Sequence, residues 1–466
     1  MAKHESTQQD SIQEPSGTSS GREAVPGLIL IFCMGKPYCA ALPLPKSGIE
    51  LGRGELPAPL PADPKMSRRH ASVHFDGSRF RIVDHGSHNG TFVDGDRVSK
   101  ELSSPSARLV RTGDSLFLLS TDILPYKQGV MMSDGLLLGP AMQAIMAQTQ
   151  RAAQHGDILH ITGESGSGKE GVARAFHSAS RHRNGPFVAI NCATIAAGLA
   201  ERLLFGARRG AFSGAVADAE GLIQSAHSGT LFLDEIADLD PMVQAKFLRV
   251  IETRQVLSLG SLRPQTVDLQ ICSASHRSLR AELVGGRFRE DLYFRISRPQ
   301  IDVPPLRQRL EEMPWLVDRA VTSIDANLVV HSSFVESCLL RHWPGNVREF
   351  LAEVRTSAQQ ALGEGRAKLE PQHLSPIGGQ AIERPTEQPA ACALAWHPPI
   401  PQTVRAAPRP GPEREKVAAA MEQCGGNISA AARVLGLHRT QLKRLLQKHG
   451  LISSREAGSL DLEDEE

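Results

Sequence analysis

Short hydrophobic runs separated by polar turns fill the first quarter of the chain. They begin at Leu28 and continue to Leu124, and Asp-Gly pairs at Asp76-Gly77 and Asp94-Gly95 stand between neighbouring runs. Asp-Gly between two alternating runs favours a tight hairpin, because both residues tolerate the positive φ that such a turn requires. The pattern predicts an all-β domain.

A second pattern begins at Ile158. The apolar runs ILHIT, FVAIN, TLFLDE and LQICSAS alternate with stretches of helical period. Strands that alternate with helices predict a parallel α/β sheet. From about Leu310 the period is helical only, and residues 377–412 hold eight prolines and few apolar anchors, which is typical of a semi-extended linker.

The length of 466 residues also indicates several domains, since about 150 residues per domain is a common size. We predict, in order, a disordered N-terminal segment at 1–26, the all-β domain at 27–125, an α/β subdomain at 136–307, a helical subdomain at 308–376, the linker at 377–412, a compact helical segment at 413–452 and an acidic tail at 453–466.

Composition excludes several classes of protein. Lys and Arg number 52 against 51 Asp and Glu, so a net charge of +1 gives no overall attraction to nucleic acid or membrane. The seven cysteines are scattered and never spaced as C-x-x-C, which argues against a zinc site or a disulfide framework. No apolar run approaches the roughly 18 residues that a membrane span needs. We therefore expect a cytoplasmic protein that does not bind a membrane.

The stretch GESGSGKE resembles a phosphate-binding loop, except that Glu170 stands where Ser or Thr is usual. Glycines allow backbone N–H groups to wrap phosphates, and Lys169 would neutralise them. An apolar strand precedes the loop and a helical stretch follows it, as such a site requires. The residues expected to bind ATP here are Gly163, Glu164, Ser165, Gly166, Ser167, Gly168, Lys169 and Glu170.

The run TLFLDE delivers two carboxylates at the end of a predicted strand, where α/β sheets place their ligands. Asp234 is expected to hold Mg²⁺ and Glu235 to orient the attacking water. Each motif alone has a structural explanation, since glycine loops also form plain turns and acidic pairs often end exposed strands. Their combination and order predict an ATP site with Mg²⁺ as its cofactor.

Six motifs together resemble the AAA+ ATPase of bacterial enhancer-binding proteins, which activate the sigma-54 form of RNA polymerase. They are, in order, GESGSGKE, NCATI, LFGARRGAFSGA, GTLFLDEI, GRFREDLYFRI and WPGNVRE. That family commonly carries Glu at the position of Glu170. The resemblance implies an ATPase ring, a hexamer or heptamer, with sigma-54 RNA polymerase holoenzyme as its partner.

The resemblance also assigns roles to single residues. Asn191 corresponds to an asparagine that pairs with the catalytic Glu235, although it could simply cap a strand end. Arg289 and Arg295 correspond to arginines offered across a subunit boundary, and Arg348 to the sensor arginine of the helical lid. His276 occupies a sensor position, where a histidine is more often structural.

The family-defining loop is GAFSGA, in which small residues flank one phenylalanine. An exposed aromatic tip on a mobile loop has no folding rationale in a monomer, so we expect it to contact a partner. In the family this loop moves with ATP hydrolysis and pushes on sigma-54. The residues expected to contact sigma-54 are Gly210, Ala211, Phe212, Ser213, Gly214 and Ala215, with Ser213 replacing the usual Thr.

The all-β region resembles the forkhead-associated fold, a β-sandwich that binds phosphothreonine. Its motifs here are Gly52-Arg53, SRRH at 67–70 and GSHNGTFVDG at 86–95. The resemblance implies that Arg53, Ser67 and Arg68 contact the phosphate and Asn89 the peptide backbone. His70 would be a structural hydrogen-bonder. A sandwich that only docks against its own ATPase is the structural alternative.

The C-terminal segment has the order helix, Gly-Gly break, Asn427 cap, helix, Gly436 turn, helix, which is helix-turn-helix geometry. Seven basic and three acidic side chains lie between 413 and 450. Leu442 and Leu446 share one face of the last helix, and the segment resembles a Fis-type DNA-binding domain. The residues expected to reach DNA are Arg439, Thr440, Lys443 and Arg444.

The resulting hypothesis is a sigma-54-dependent activator that binds upstream enhancer DNA and remodels the closed promoter complex by ATP hydrolysis. A phosphothreonine-containing partner would act through the sandwich. Two alternatives stay open: a phosphopeptide-responsive DNA-binding scaffold or repressor with little ATPase activity, and an AAA+ activator of another sigma factor.

Overall fold

The computed structural model describes residues 23–53, 60–133, 135–196, 198–212, 215–381, 412–425, 427–435, 442 and 446. One compact unit ends at Arg384, and a second begins at Pro385. The first unit holds a β-sandwich, an α/β domain and a helical lid. The second holds the C-terminal helices and is described by itself.

Ten strands form the sandwich: β1 (Gly27–Cys33), β2 (Lys36–Pro43), β3 (Ile49–Leu51), β4 (Ala71–Phe75), β5 (Phe80–Asp84), β6 (Thr91–Val93), β7 (Asp96–Arg97), β8 (Glu101–Ser104), β9 (Leu109–Thr112) and β10 (Ser115–Ser120). Two sheets, ordered β2-β1-β10-β9-β6-β7 and β3-β4-β5-β8, enclose a core that includes Leu28, Phe80 and Phe117. Both Asp-Gly pairs lie in hairpins, joining β4 to β5 and β6 to β7. The predicted all-β region is confirmed.

A hairpin that the sequence analysis did not foresee connects the sandwich to the α/β domain. Its strands are β11 (Met131–Ser133) and β12 (Leu136–Leu138), and it leads into α1 (Pro140–His155). Leu136 packs so closely on α2 that a Cβ added at Gly171 would lie 2.9 Å from it. The hairpin therefore lies against the helix that follows the glycine loop.

The α/β domain contains β13 (Ile158–Thr162), α2 (Lys169–Ser178), β14 (Phe187–Asn191), α3 (Ala200–Phe205), α4 (Leu222–Ser225), β15 (Thr230–Asp234), α5 (Pro241–Thr253), β16 (Gln255–Val256), β17 (Gln265–Thr266), β18 (Gln270–Ser275), α6 (Leu279–Val284), α7 (Glu290–Ile296) and β19 (Gln300–Asp302). Five parallel strands are ordered β14-β15-β18-β13-β19. The sheet is buried on both faces, which explains the continuous apolar runs of its central strands. The carboxyl ends of β14, β15, β18 and β13 meet along one edge.

The lid consists of α8 (Met313–Thr322), β20 (Val329–Val330), α9 (Ser332–Leu339), α10 (Asn346–Gly363) and β21 (Lys368–Leu369). Trp343 is fully buried and meets Phe350 edge to face at 5.0 Å between ring centroids. Lid packing continues to Gly379, whose N–H donates to Glu349 Oε1 at 3.0 Å. The lid thus extends past position 376, because Gly379 fits against the Trp343 ring.

The second unit shows α11 (Pro412–Gln423) and α12 (Ile428–Val434). Asn427 accepts a hydrogen bond from the N–H of Ala430 at 3.0 Å, as an N-cap does. Leu442 and Leu446 are buried with Val417 and Ala431. The apolar face predicted for the last helix therefore packs on α11 and α12.

Candidate nucleotide and phosphate sites

The glycine loop lies between β13 and α2 in a conformation that L side chains rarely adopt. Gly163, Gly166 and Gly168 have φ values of +148°, +73° and +106°. Because α2 begins at Lys169, its first unpaired N–H groups face the loop. Lys169 is 7% exposed, and its Nζ donates to the carbonyl oxygens of Gly163 at 2.9 Å and Glu164 at 3.3 Å. These features form a preshaped cradle for an anion.

Glu235 follows β15 with a left-handed φ of +52° and is held from two sides. Its Oε2 lies 2.7 Å from His276 Nδ1 and 3.1 Å from the His276 backbone N–H, and its Oε1 lies 3.6 Å from Lys169 Nζ. Burial alone would raise the pKa of Glu235, but the His276 hydrogen bonds and the Lys169 charge outweigh it and lower the pKa below its usual value. Glu235 is therefore an oriented, ionised carboxylate.

The Asn191 side chain differs from its expected pairing. Its Nδ2 donates to Asp234 Oδ2 at 3.4 Å rather than to Glu235, and its Oδ1 accepts from the N–H of Ala193 at 2.9 Å. Asn191 is opposite Asp234 in the β14–β15 register, whereas Glu235 turns away toward β18. In this arrangement Asn191 acts as a strand-end cap that touches Asp234.

His276, rather than the expected Asn191, is the hydrogen-bond partner of Glu235. It follows β18, which lies next to β15 in the sheet, so the two strand ends bring the side chains together. In the sequence, only the position of His276 within SASHR pointed to a function, and a single histidine is usually structural.

The lid closes directly on the glycine loop. The N–H of Val347 donates to the carbonyl of Gly166 at 3.1 Å. Asn346, fully buried with a φ of +52°, donates from Nδ2 to the carbonyl of Ser165 and to Glu164 Oε2, each at 3.0 Å. Arg348 lies at this contact, with Nη1 3.5 Å from Ser165 Oγ. The predicted sensor arginine is thus at the loop.

Two further arginines, which the sequence analysis did not single out, hold the same loop. Arg307 makes two hydrogen bonds to the Glu164 carboxylate, at 2.8 and 2.6 Å. Arg309 is 3% exposed and donates to the carbonyl of Ser167 at 2.9 Å and to Glu312 Oε2 at 3.0 Å. Their segment, PPLRQRLEE, carried no recognised phosphate-site pattern, so only the tertiary structure reveals these contacts.

A cleft of about 660 Å³ lies between the loop, the β11–β12 hairpin and the lid. Ser165 to Glu170, Asp234 and Glu235 line it, together with charged side chains of Arg309, Glu312, Arg319, Arg348 and Arg355. The same cleft is also lined by apolar side chains, namely Leu136, Leu137, Leu138, Met142, Met146, Leu316, Val347 and Leu351. Glu170 reaches the cleft wall, but its carboxylate accepts from Arg174 at 2.7 Å. Charged and apolar side chains in one cleft fit a nucleotide, which combines charged phosphates with a flat aromatic base.

Arg289 and Arg295 do not line this cleft. Arg289 donates to both carboxylate oxygens of Asp291, at 3.1 and 2.6 Å, and Arg295 is exposed at the end of α7. Phe294 beside them is 69% exposed. The two arginines are therefore displayed on the surface of this chain, outside its own nucleotide site.

The described part of the GAFSGA loop is a tight turn. The N–H of Gly210 donates to the carbonyl of Ala215 at 2.9 Å, and Phe212 is 38% exposed with the Arg202 guanidinium 5.4 Å from its ring centroid. Ser213 and Gly214 lie outside the described residues. A second loop packs against the turn: a Cβ added at Gly260 would lie 2.8 Å from the Ala211 Cβ. That loop also displays Leu262, which is 97% exposed and was not foreseen.

In the sandwich the predicted phosphate residues lie on neighbouring loops. The N–H of His88 donates to Ser67 Oγ at 3.1 Å, and Asn89 Nδ2 donates to the carbonyl of Lys65 at 2.7 Å. Arg53 and Arg68 are exposed, and the N–H of Arg53 donates to the carbonyl of Ser67 at 3.1 Å. The structure therefore brings the loops of all four predicted residues together.

His70 is fully buried beneath this surface. Its Nδ1 accepts from the N–H of Ser67 at 3.1 Å, and its Nε2 lies 3.1 Å from the carbonyl of Gly90. Burial lowers the pKa of His70 despite the Gly90 hydrogen bond, so the ring is neutral and ties the two loops together. The predicted structural role of His70 agrees with these contacts.

The four predicted DNA-contacting residues, Arg439, Thr440, Lys443 and Arg444, lie outside the described residues. In the part of the chain that the structure describes, no helix is both long and apolar enough to cross a bilayer.

Comparison with known families finds three matches along the chain. Residues 49–116 match the FHA domain, residues 137–302 the sigma-54 interaction domain, and residues 412–449 the Fis family of bacterial regulatory proteins. Their order is the order predicted from the sequence.

Among curated relatives, the Nif-specific regulatory protein of Herbaspirillum seropedicae is 36% identical over 70% of this chain and 63% of its own length. The transcriptional regulatory protein ZraR of Escherichia coli K12 is 38% identical over 66% of this chain and 67% of its own length. The chain thus spans about two thirds of these relatives. A solved structure of NtrX from Brucella abortus with ATP is 30% identical, over 69% of both chains, with a TM-score of 0.47.

Proposed function

The chain belongs to the family of sigma-54-dependent transcription regulators, whose AAA+ domain it carries, and on that premise we propose that it activates transcription by hydrolysing ATP. The observation that carries the proposal is the convergence of Lys169, Glu235 and Arg348 on one cleft beside the glycine loop. An idle scaffold would not need a buried lysine beside an oriented carboxylate.

The chemistry follows from the positions of these groups. Backbone N–H groups of the glycine loop and Lys169 would bind the β and γ phosphates, and the apolar side chains of the cleft would contact the adenine. Glu235 would accept a proton from the water that attacks the γ-phosphorus, and ADP would leave. Arg348 would report nucleotide occupancy to the lid, because it lies beside Ser165 of the loop.

The residues present also fit a magnesium ion. Burial, and next the neighbouring Glu235, raise the pKa of Asp234, so a divalent cation beside it would relieve the cost of its charge. Mg²⁺ takes most of its ligands from phosphates and water, so one carboxylate at the strand end is sufficient to hold it. Asp234 would hold the ion, which would neutralise charge developing on the phosphate oxygens.

We further propose that the chain works as a ring. Arg289 and Arg295 are exposed and lie away from the cleft of their own chain, so they could meet the γ-phosphate of a neighbouring subunit. Ring formation would therefore complete the active site.

The GAFSGA loop is proposed to contact sigma-54. Phe212 is half-exposed at a turn whose neighbours are small, and the adjacent loop displays Leu262. Two exposed apolar side chains on neighbouring loops form a surface suited to a protein partner. Ser213 would contribute a hydroxyl to this contact.

The two remaining domains are proposed to bind the target DNA and to receive a regulatory signal. The Fis-type domain would bind upstream DNA through Arg439, Thr440, Lys443 and Arg444. The sandwich would bind a phosphothreonine-containing protein through Arg53, Ser67, Arg68 and Asn89, since exposed guanidinium, hydroxyl and amide groups suit three phosphate oxygens.

Promoter melting by purified sigma-54 polymerase on a supercoiled sigma-54 promoter tests the proposal. Permanganate reactivity of unpaired thymines would be compared for the native chain, Glu235→Gln and Phe212→Ala, with and without ATP. We expect melting only with ATP and only with the native chain. Ile377→Ala removes a side chain that is also exposed and lies far along the sequence from this loop, and it should melt the promoter normally. Melting by Glu235→Gln would refute the ATP-driven mechanism, and melting by Phe212→Ala would refute the sigma-54 contact.

A further inference from the structure

The outer face of the six-stranded sheet is covered by the lid rather than by solvent. In β1, Leu28 and Leu30 enter the sandwich core, while Ile29 and Ile31 enter a cluster shared with lid residues such as Val317. All seven residues of β1 are buried. The run LILIF is therefore apolar throughout because its strand packs on two bodies, the second sheet and the lid.

One buried ion pair fixes the register of this contact. Arg111 Nε of β9 donates to Glu336 Oε2 of α9 at 2.6 Å, and their side chains are 13% and 5% exposed. The Arg111 guanidinium also lies 3.8 Å from the ring centroid of Phe92, which is opposite it on β6. Removing one member of such a pair leaves an uncompensated buried charge, so the pair tolerates only one docking arrangement.

A second contact starts in the sandwich loop at 60–70, here called the phosphopeptide loop because it carries the predicted phosphate residues Ser67 and Arg68. Lys65, two residues before Ser67, places its Nζ 2.7 Å from Asp114 Oδ2. The other oxygen, Asp114 Oδ1, accepts from Ser332 Oγ at 3.4 Å and lies 3.6 Å from His331 Nε2. Ser332 begins α9, and a carboxylate is favourable at that helix end. Asp114 thus bridges the phosphopeptide loop and the lid.

The lid helix α8 connects the contact between sandwich and lid to the nucleotide cleft. Leu316, Arg319 and Ala320 line the nucleotide cleft. On the same helix Val317 belongs to the cluster shared with the sandwich, and Asp318 pairs with Lys36 of β2 at 3.2 Å. A shift of the sandwich relative to the lid would therefore move side chains of the cleft wall.

We propose that a phosphopeptide bound to the sandwich weakens nucleotide binding by drawing Lys65 away from Asp114 and so loosening the lid. The proposal rests on the function proposed above, and it names the lid as the element through which the sandwich regulates the ATPase.

Nucleotide binding is expected to weaken because the bound phosphate and Asp114 compete for the ammonium group of Lys65. Lys65 is 45% exposed and therefore free to reorient, and a phosphate dianion at Ser67 and Arg68 carries more charge than the Asp114 carboxylate. Lys65 holds Asp114 in the position from which it contacts Ser332 and His331, so once Lys65 leaves, Asp114 can turn away from α9. Coupling between two binding sites is reciprocal, so ADP must weaken phosphopeptide binding by the same factor.

The test measures the affinity of the full chain for a fluorescent ADP analogue, with and without a degenerate phosphothreonine peptide library. We expect the library to weaken ADP binding about fivefold, a common size for such coupling, and its unphosphorylated counterpart to do nothing. Lys65→Met should weaken ADP binding to a similar extent without any peptide, and the library should add little. Lys65→Arg should restore native behaviour, because it keeps the pair with Asp114.

Lys46→Met is the matched control, since Lys46 is an exposed lysine of the same sandwich. Its ADP affinity should equal that of the native chain. If ADP and the library both bind but neither changes the affinity for the other, the lid coupling is wrong while the proposed function stands. If the native chain binds neither ADP nor the library, the proposed function fails and the coupling fails with it.

Discussion

Two loops of this chain are proposed to bind a phosphate, and they present their cations differently. In the α/β domain Lys169 is 7% exposed and rests on the carbonyl groups of its own loop. In the sandwich Arg53 and Arg68 are exposed, and the ordered contacts, such as that between His88 and Ser67, come from neutral groups. The first loop is therefore an enclosed site, whereas the second is an open surface.

The difference corresponds to what each site must do. A buried cation beside an oriented carboxylate favours a reaction, because charges interact strongly where water is excluded. Exposed guanidinium groups favour reversible recognition of a large partner, because they can reach phosphate without closing over it. The two sites should therefore respond differently to equivalent substitutions.

The largest effect is expected at the enclosed site. Glu235→Gln removes the proton acceptor while keeping the shape of the side chain, so ATP turnover should fall about 100-fold or more. Binding of ADP should change little. Steady-state phosphate release and ADP titration check this, with Glu252→Gln, an exposed carboxylate of α5, as the control. Normal turnover by Glu235→Gln would show that Glu235 is not the proton acceptor in ATP hydrolysis.

At the open site the effect should fall on binding alone. Arg68→Ala removes a charge-assisted contact worth about 1.5–3 kcal/mol, which corresponds to a loss of roughly 10- to 150-fold in phosphopeptide affinity. Basal ATP turnover should stay unchanged. Arg69→Ala is a neighbouring control, because the Arg69 guanidinium is bound by Glu50. Equal losses in both variants would mean that Arg68 has no special role.

Substitution of one glycine in each loop would show how tightly the two sites are packed. Gly166 and Gly86 have nearly equal φ values, +73° and +74°, but a Cβ at Gly166 would lie 2.3 Å from the carbonyl oxygen of Gly345, whereas a Cβ at Gly86 meets nothing within 4 Å. Gly86→Ala should cost about 1–2 kcal/mol of unfolding free energy from backbone strain. Gly166→Ala should cost roughly 2 kcal/mol more, because the lid must move. Urea denaturation measures both, and equal costs would show that the lid contact is loose.

The most gradual effect is expected at Glu311, a carboxylate that is 2% exposed, because it builds up only over a range of pH. Burial raises its pKa to about 7, against an ordinary value of 4.5. The folded chain thus holds a proton that the unfolded chain releases between pH 4.5 and 7, so stability should decline by about 1 kcal/mol per pH unit in that window. Glu311→Gln cannot titrate and should flatten the decline by that amount. An unchanged slope would contradict the shifted pKa.

Local patterns predicted much of the fold. The Asp-Gly hairpins, the four long strands of the α/β sheet and the Asn427 cap each depend on a few adjacent residues. The strands β11, β12 and β19 were missed, because runs of three residues are too short to show a period. The role of LILIF in docking was also missed, since a strand buried on two faces has the same sequence pattern whichever body covers it.

The sequence by itself determined the motifs whose residues are contiguous: the glycine loop, the acidic strand end, the GAFSGA turn and the order of the three domains. Only the tertiary structure decided that His276 rather than Asn191 holds Glu235, that Asn346 and Arg307 hold the glycine loop, and that Asp114 bridges the sandwich and the lid. Chain neighbours constrain backbone geometry through local sterics, whereas partners far apart in sequence meet only when strand order and packing bring their elements together.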